Sequence, residues 1–426
     1  MAQFQRPRGT RDFGPEEMAS RRWAESRMRQ SISSFGYREI ATPTFEHSDL
    51  FIARSGPQII DQIYIFKDKG GRELALRPEL TAPVMRFYYS DLRNLPKPLR
   101  IFYFGNCFRY ERPQKGRYRE FWQMGVEYIG KRTPQAAAEV ILAAISSLKS
   151  TGLSKFEVRV GHVELLGTML KRWGLDPSVD RELMIAIDKK DEASIRELLK
   201  NTGEKDTESL ISLVTSTYGE DEYERILDNA LNEDENLKKT ADELRMVMSF
   251  LFQSGARVRM DPSISRGLDY YDGIVFEIDS PDLGAEKQIC GGGAYSLTSV
   301  FGGDVEGIGF GLGFDRIMVA LGGGAIPEPE GTDDKKVYVA PLDNGMFDRA
   351  FKISMTLREA GITCVMETSE RNLKRSISSA LSSGCRYLVI LGEEETRKNT
   401  VSLKDLRTRS QTELPMDSLV EYILSS

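Results

Sequence analysis

The stretch Leu99–Gly130, "LRIFYFGNCFRYERPQKGRYREFWQMGVEYIG", reads as two apolar-rich runs, "LRIFYFGNCFRYE" and "REFWQMGVEYIG", joined by a polar loop, "RPQKGRY". Two such runs with a short polar connection predict an antiparallel pair of strands. Side chains alternate faces along a strand, so Arg109 and Glu111 are expected to share a face of the incoming strand. Gln123, Gly125 and Glu127 share a face of the outgoing one, where Gly125 leaves a hollow between two polar groups. A buried strand seldom carries two polar side chains without partners for them. The loop holds Arg112, Lys115, Arg117 and Arg119, which suits a triphosphate or a nucleic-acid end. By itself such a run equally describes a solvated hairpin tip.

More hairpins and helices surround this one. "PEEMASRRWAESRMRQSISS" predicts an amphipathic helix from Pro15 to about Ser34, with Pro and two Glu at its start. "QIYIFKDKGGRELALRP" predicts a hairpin turning at Gly70-Gly71, and "PELTAPVMRFYYSDL" a helix beginning at Pro78. From 174 to 250 the texture becomes polar, acidic and helical, an insert between 1–173 and 251–325. "GGGAIPEPEGTDDKK" is a linker by composition, placed at 326–334. Residues 335–426 alternate strand and helix, which predicts a small α/β domain with a partly parallel sheet. The fold class is therefore α+β: a mostly antiparallel sheet flanked by helices, a helical insert and a C-terminal α/β domain.

The bulk numbers exclude several chemistries. The chain has 426 residues, 40% apolar and 29% charged, with no run near the eighteen apolar residues of a membrane span and no signal-peptide pattern at the start. A cytoplasmic protein is expected. Cys107, Cys290, Cys364 and Cys385 are scattered and form no C-x-x-C, so neither zinc nor a disulfide frame is indicated. His47 and His162 are the only histidines, so the chemistry must rest on Arg, Glu, Tyr and backbone groups. The net charge of −6 provides no chain-wide field for nucleic acid. Residues 335–426 nonetheless carry fourteen Lys and Arg against twelve Asp and Glu, a small positive excess.

Three further stretches carry chemistry. In "LRPELTAP", Glu79 and Thr81 fall in the first turn of a helix after a strand. A glutamate there complements the helix dipole, or it grips a ligand's ammonium. In "SRGLDYYDGIVFEI", Arg266, Tyr270 and Tyr271 precede an apolar strand, and in "CGGGAYSL" Gly291 to Gly293 clear space for close backbone approach. In "GIGFGLGFDR", residues 307–316, glycine recurs at every second position, which strips one strand face of side chains. Leu312 stands where a dinucleotide loop would need its third glycine, and no G-x-x-x-x-G-K-[ST] occurs.

Taken in order, these stretches resemble the class II aminoacyl-tRNA synthetases. "YREIATPTFEHSDLF", with Pro43, resembles their motif 1, "FRYERPQKGRYREF" motif 2 and "GIGFGLGFDR" motif 3. "RGLDYYDGIVFEI", "CGGGAY" and "PRGTRDFGPEE" are similar to peptides of the histidyl-tRNA synthetase family, and the likeness covers essentially the whole chain. It implies a class II catalytic domain in 1–173 and 251–325 and an anticodon-binding domain in 335–426. The implied activity is ATP-dependent activation of L-histidine to histidyl-adenylate with release of pyrophosphate, then transfer to the 3' end of tRNA(His), by a homodimer using ATP and Mg²⁺. It implies catalytic roles for Arg266, Arg109 and Arg316, and ATP contacts from Arg109, Glu111, Arg117, Arg316, Gly309 and Gly311. Histidine contacts would come from Glu79, Thr81, Arg109, Gln123, Glu127, Arg266, Tyr270, Tyr271 and Tyr295, and acceptor-end contacts from Arg112 and Gln114. No metal ligand is implied among protein side chains.

Two departures stand out. The family usually continues its GGG with Arg-Tyr-Asp, where this chain has Ala294-Tyr295-Ser296. Strict alternation also puts Arg266 and Tyr271 on opposite faces, unless Gly267 allows a bend or bulge. A catalytically silent relative, the regulatory subunit of ATP phosphoribosyltransferase, typically lacks the C-terminal domain and much of the motif 2 and 3 set, which this chain retains. Threonyl or prolyl specificity is opposed by "RGLDYYDG", and class I signatures are absent.

Overall fold

The computed structural model describes residues 4–52, 61–111, 116–172, 175, 181–199, 207–230, 235–264, 271–284, 287–296, 306–322, 334–369 and 372–426. The chain divides into a unit of residues 1–324 and a unit of residues 325–426.

In the larger unit the strands are β1 (Arg38–Glu39), β2 (Phe45–His47), β3 (Ile65–Lys67), β4 (Glu73–Leu76), β5 (Leu99–Phe108), β6 (Glu120–Ile129), β7 (Glu157–His162), β8 (Val258–Met260), β9 (Tyr271–Asp279), β10 (Gln288–Ser296) and β11 (Glu306–Gly313). Eight form one sheet in the order β1-β5-β6-β11-β10-β9-β7-β8. Only the outer pairs β1/β5 and β7/β8 are parallel, so the mostly antiparallel α+β reading holds. The order β2-β4-β3 makes a small second sheet.

Register decides what each face carries. Directly opposed residues on neighbouring strands share a face. Gly307, Gly309, Gly311 and Gly313 of β11 oppose Ile129, Glu127, Gly125 and Gln123 of β6. On its other side, β11 opposes β10, with Gly293 against Gly309 and Tyr295 against Gly307. All four glycines therefore lie on one face, beside Gln123 and Glu127. Ile308, Phe310 and Leu312 point the other way, into the main hydrophobic core. That core is closed by the helices Pro15–Ser34, Pro134–Ser150 and Glu235–Gln253, through residues such as Met28, Ile141 and Leu244. Pro134 opens its helix at the position where a missing N–H is tolerated, and Thr133 caps it by accepting from the Ala136 amide at 3.2 Å. Leu166, Leu183, Ile195 and Leu210 belong to a separate apolar cluster formed within the intervening helices.

The helix expected from Pro78 begins three residues later, as Thr81–Phe87. Leu80, Val84, Met85 and Tyr88 pack there against Ile101, Tyr103 and Cys107 of β5, on the glycine side of the sheet. Arg109 and Glu111 are a second difference: β5 ends at Phe108, so both lie in the connection beyond it.

The smaller unit adds β12 (Val337–Pro341), β13 (Cys364–Met366), β14 (Tyr387–Leu391), β15 (Thr400–Asp405) and β16 (Gln411–Pro415), ordered β13-β12-β14-β15-β16. The first three are parallel, as the strand–helix alternation predicted. The β15–β16 hairpin is an addition that the alternation did not reveal. Helices Phe347–Glu359 and Leu373–Ser382 cover opposite faces, over Val339 on one side and Tyr338 on the other.

Candidate active site

The glycine side of the large sheet forms the floor of a cavity of about 300 Å³. Glu79, Thr81, Arg109, Glu111, Arg117, Gln123, Glu127, Tyr271, Tyr295, Gly309, Gly311 and Arg316 all line it. Arg112, Gln114, Arg266, Tyr270 and Gly267, where a bend or bulge was expected, lie outside the described residues. Six stretches scattered over more than two hundred residues thus meet in one place.

At one end sits Glu127, only 1% exposed. Tyr295 donates to its Oε2 at 2.6 Å, and Tyr103 donates to its Oε1 at 3.4 Å. Burial pushes the carboxyl up to about 7, although hydrogen bonds from Tyr295, Thr81 and Tyr103 favour its charged form. Tyr103 is a residue that sequence reasoning missed. It opposes Gly125 across the hairpin, and a side chain on Gly125 would come within 2.5 Å of its hydroxyl. The hollow left by Gly125 is thus filled by a tyrosine aimed at Glu127. The signal was available: pairing β5 with β6 about their loop places Tyr103 opposite the glycine. Tyr271 opposes Tyr295 on β10, next to a register shift between the two strands.

Glu79 has a local job. Its carboxylate accepts the backbone amides of Thr81 at 2.6 Å and Ala82 at 2.9 Å, two donors that the first helical turn leaves unpaired. Glu79→Ala is expected to lower stability by about 1 kcal/mol, read as a lower urea midpoint of the ligand-free protein. Gln123 accepts from the Cys107 thiol at 3.4 Å, which aligns its amide in the same cavity.

The other end is cationic. Arg109 donates from Nε to the Pro78 carbonyl at 2.8 Å, and Arg117 pairs with Glu111 at 3.0 Å. Arg316, opening the helix Phe314–Ala320, donates to the Gln288 carbonyl at 2.6 Å. Its stem passes Gly116 and Gly313, where an added side-chain carbon would meet it at 3.5 Å, an ordinary contact. Three arginines therefore converge from two motifs on one half of the cavity, with Glu127 in the other half.

The glycines of β11 divide their labour. A side chain on Gly309 would run into the Glu127 carboxylate and come within 2.6 Å of the Val126 carbonyl. One on Gly307 would lie 2.7 Å from the Tyr295 ring. One on Gly311 would meet only the Gln123 amide nitrogen, at 3.9 Å, so Gly311 keeps open floor. Ala294 faces the core rather than the cavity, against Gly273. At that corner the ion pairs run from Arg132 to Asp272 and to Glu306.

Among the described residues no cluster of three or more His, Cys, Asp or Glu could hold a metal ion. None of the described helices is long and apolar enough to cross a membrane.

Residues 9–317 match the family model of histidyl-tRNA synthetase, and residues 336–426 that of an anticodon binding domain. The histidine–tRNA ligase of Archaeoglobus fulgidus is 44% identical over 426 residues, covering 99% of each chain. Among solved structures, apo histidyl-tRNA synthetase of S. aureus superposes with a TM-score of 0.73 at 29% identity over 99% of both chains. A Bacillus halodurans protein described as an ATP phosphoribosyltransferase regulatory subunit/histidyl-tRNA synthetase gives 0.77 at 29%, over 91% of this chain and 98% of its own.

Proposed function

The chain belongs to the histidyl-tRNA synthetase family, and from that premise we propose that the cavity on the glycine face is where histidine and ATP react. The protein is an aminoacyl-tRNA ligase that joins histidine to tRNA. The full-length relatedness to histidine–tRNA ligases, including the anticodon-binding domain, argues against the silent regulatory subunit.

The observation that carries the site assignment is the pairing of two chemistries in one cavity: a buried carboxylate ringed by tyrosines, and a cluster of arginines. Neutral imidazole offers one N–H donor and one bare nitrogen. Glu127 accepts the first, Tyr271 donates to the second, and Tyr295 and Tyr103 hold Glu127 in place. Glu79, Thr81 and Gln123 take the α-amino group, and Tyr270 is a further proposed histidine contact. Arg109, Arg266 and Arg316 neutralise two anions as they meet. A carboxylate oxygen of histidine attacks the α-phosphorus, the bond from that phosphorus to the β-bridging oxygen breaks, and pyrophosphate leaves. Preorganised guanidinium groups stabilise the charge that builds at the α-phosphate, so no protein nucleophile is needed. Glu111 receives the adenine end, Arg117 the γ-phosphate, and Gly311 with Gly309 the floor. A terminal ribose hydroxyl of tRNA(His), guided by Arg112 and Gln114, then attacks the histidyl carbonyl and AMP departs.

Mg²⁺ fits as part of the incoming nucleotide. The acidic groups here are already engaged, Glu111 with Arg117 and Glu79 with helix amides, and so offer no ligand cluster. A divalent ion bound with the nucleotide would offset the charge of the phosphates, with no ligand cluster from protein side chains among the described residues.

Phe45, Ile65 and Phe66 leave large apolar surfaces exposed on the small β2-β4-β3 sheet, beside the motif 1 stretch. This supports a homodimer, and light scattering is expected to return twice the chain mass. The cytoplasm is the proposed location, and the anticodon-binding domain is the proposed reader of the anticodon stem.

The direct test is amino-acid-dependent ATP–pyrophosphate exchange. Histidine is expected to support it, and threonine and proline are not. A folded preparation inert with histidine would sink the assignment, and exchange with either competitor would move the specificity.

A further inference from the structure

The segment "PRGTRDF", residues 7–13, forms neither helix nor strand, yet it is tied to the motif 2 hairpin. Thr10 closes a turn onto the Pro7 carbonyl through its hydroxyl, at 2.8 Å. Gly9 follows with φ of +86°, a conformation other residues rarely take, and its carbonyl accepts the Arg119 amide at 2.9 Å. A side chain on Gly9 would stand 2.7 Å from Cγ of Arg119. Arg119 in turn accepts the Arg109 amide at 3.0 Å, so the arm extends the base of the hairpin.

Arg11 is the centre of this contact. Its Nη2 donates to Oδ1 of Asp315 at 2.5 Å, and its guanidinium carbon stands 3.4 Å from the ring centre of Tyr118. Asp315, 2% exposed, also accepts from Arg21 at 2.8 Å and from the Trp122 amide at 2.7 Å. One carboxylate thus joins the arm, the helix Pro15–Ser34, the returning limb of the hairpin and the helix whose next residue is Arg316. Arg21, 5% exposed, would suffice to balance Asp315. The second guanidinium adds something else: it lies over Tyr118, a cavity-lining residue next to Arg117.

We propose that Arg11 is a positioning residue of the adenylation step, holding the motif 2 hairpin at a set distance from Arg316 so that both limbs reach one triphosphate. The proposal rests on the adenylation reading above. It assigns Arg11 to the nucleotide half alone, because Glu127, Tyr103, Thr81 and Tyr295 share none of its contacts. A small displacement of charge-stabilising groups is enough to reduce turnover by about 10²-fold.

The test uses the full chain with Arg11→Ala, Arg11→Lys and Tyr118→Leu in ATP–pyrophosphate exchange, varying ATP and histidine separately. In R11A, kcat/KM for ATP is expected to fall by roughly 10- to 100-fold, with the histidine KM and the calorimetric histidine Kd within about twofold of wild type. R11K should recover part of the loss, since it restores the charge but not the stacked plane. Y118L should fall in the same direction as R11A. A histidine KM or Kd that rises as much as the ATP KM, or an unchanged kcat/KM for ATP, would overturn the proposal. So would a Y118L protein with wild-type ATP kinetics beside an R11A protein that does not fold. Wild-type protein inactive with histidine would instead refute the adenylation reading itself.

Discussion

Glu127→Ala is expected to lower kcat/KM for histidine in pyrophosphate exchange by roughly 10³-fold or more, because a site built to hydrogen-bond its substrate loses most when a buried partner is removed. Glu127→Gln isolates the charge, since it keeps the shape and can still accept from Tyr295. The pH profile then separates the ionisations. In the wild-type protein burial pushes the carboxyl up to about 7, so the accepting carboxylate is lost as pH falls through that value. kcat/KM should therefore decline on the acid side under two ionisations, that of Glu127 and that of the substrate imidazole near 6.5. E127Q should retain only the second. The stability sign runs the opposite way. A carboxyl whose folded pKa is raised favours the folded state most at low pH, and that contribution is lost as pH rises from about 4.5 to about 7. The melting temperature of E127Q relative to wild type should accordingly climb across that window. A flat difference, or E127A activity within tenfold of wild type, would remove Glu127 from the histidine site.

The second large effect contrasts two neighbouring glycines. Gly309→Val is expected to remove histidine-dependent exchange and to lower stability by about 1–3 kcal/mol, the usual range for overpacking. Its side chain has nowhere to go: the Glu127 carboxylate and the Val126 carbonyl already occupy the space. Gly311→Val should fold like wild type, because the first atom added meets only the Gln123 amide at 3.9 Å. Its valine instead occupies cavity floor, and the ATP KM is expected to rise by about tenfold or more, against a smaller change in the histidine KM. The two measurements are a urea midpoint and a pair of KM values for each variant. If G311V left the ATP KM unchanged, Gly311 would have only a packing role. If G309V retained full activity, the contact with Glu127 would be irrelevant to function.

Much of the fold could be read along the chain. The helix Pro15–Ser34 announces itself with Pro and two Glu, and the turn at Gly70-Gly71 with paired glycines, Gly71 adopting φ of +79°. Period-two alternation correctly separated the glycine face of β11 from Ile308, Phe310 and Leu312. The β15–β16 hairpin escaped notice because its strands are mixed in character and half exposed, leaving no strong pattern. Arg109 and Glu111 were placed on a strand that ends at Phe108, since periodicity does not mark where pairing stops.

Local patterning and the ordered set of motifs determined the sheet's character, its two faces and the family, because alternation and turn chemistry are properties of neighbours in sequence. Contacts between distant residues could not be decided that way. Tyr295 and Glu127 are 168 positions apart, and Arg11 and Asp315 are 304 apart. Only the register of β6, β11 and β10 sets Glu127 above Gly309 and leaves Gly311 bare, and only packing turns Tyr103 into the space beside Gly125. Side-chain identity supplied the available chemistry, while burial and close approach chose which groups would share a cavity and pushed one carboxyl up to about 7.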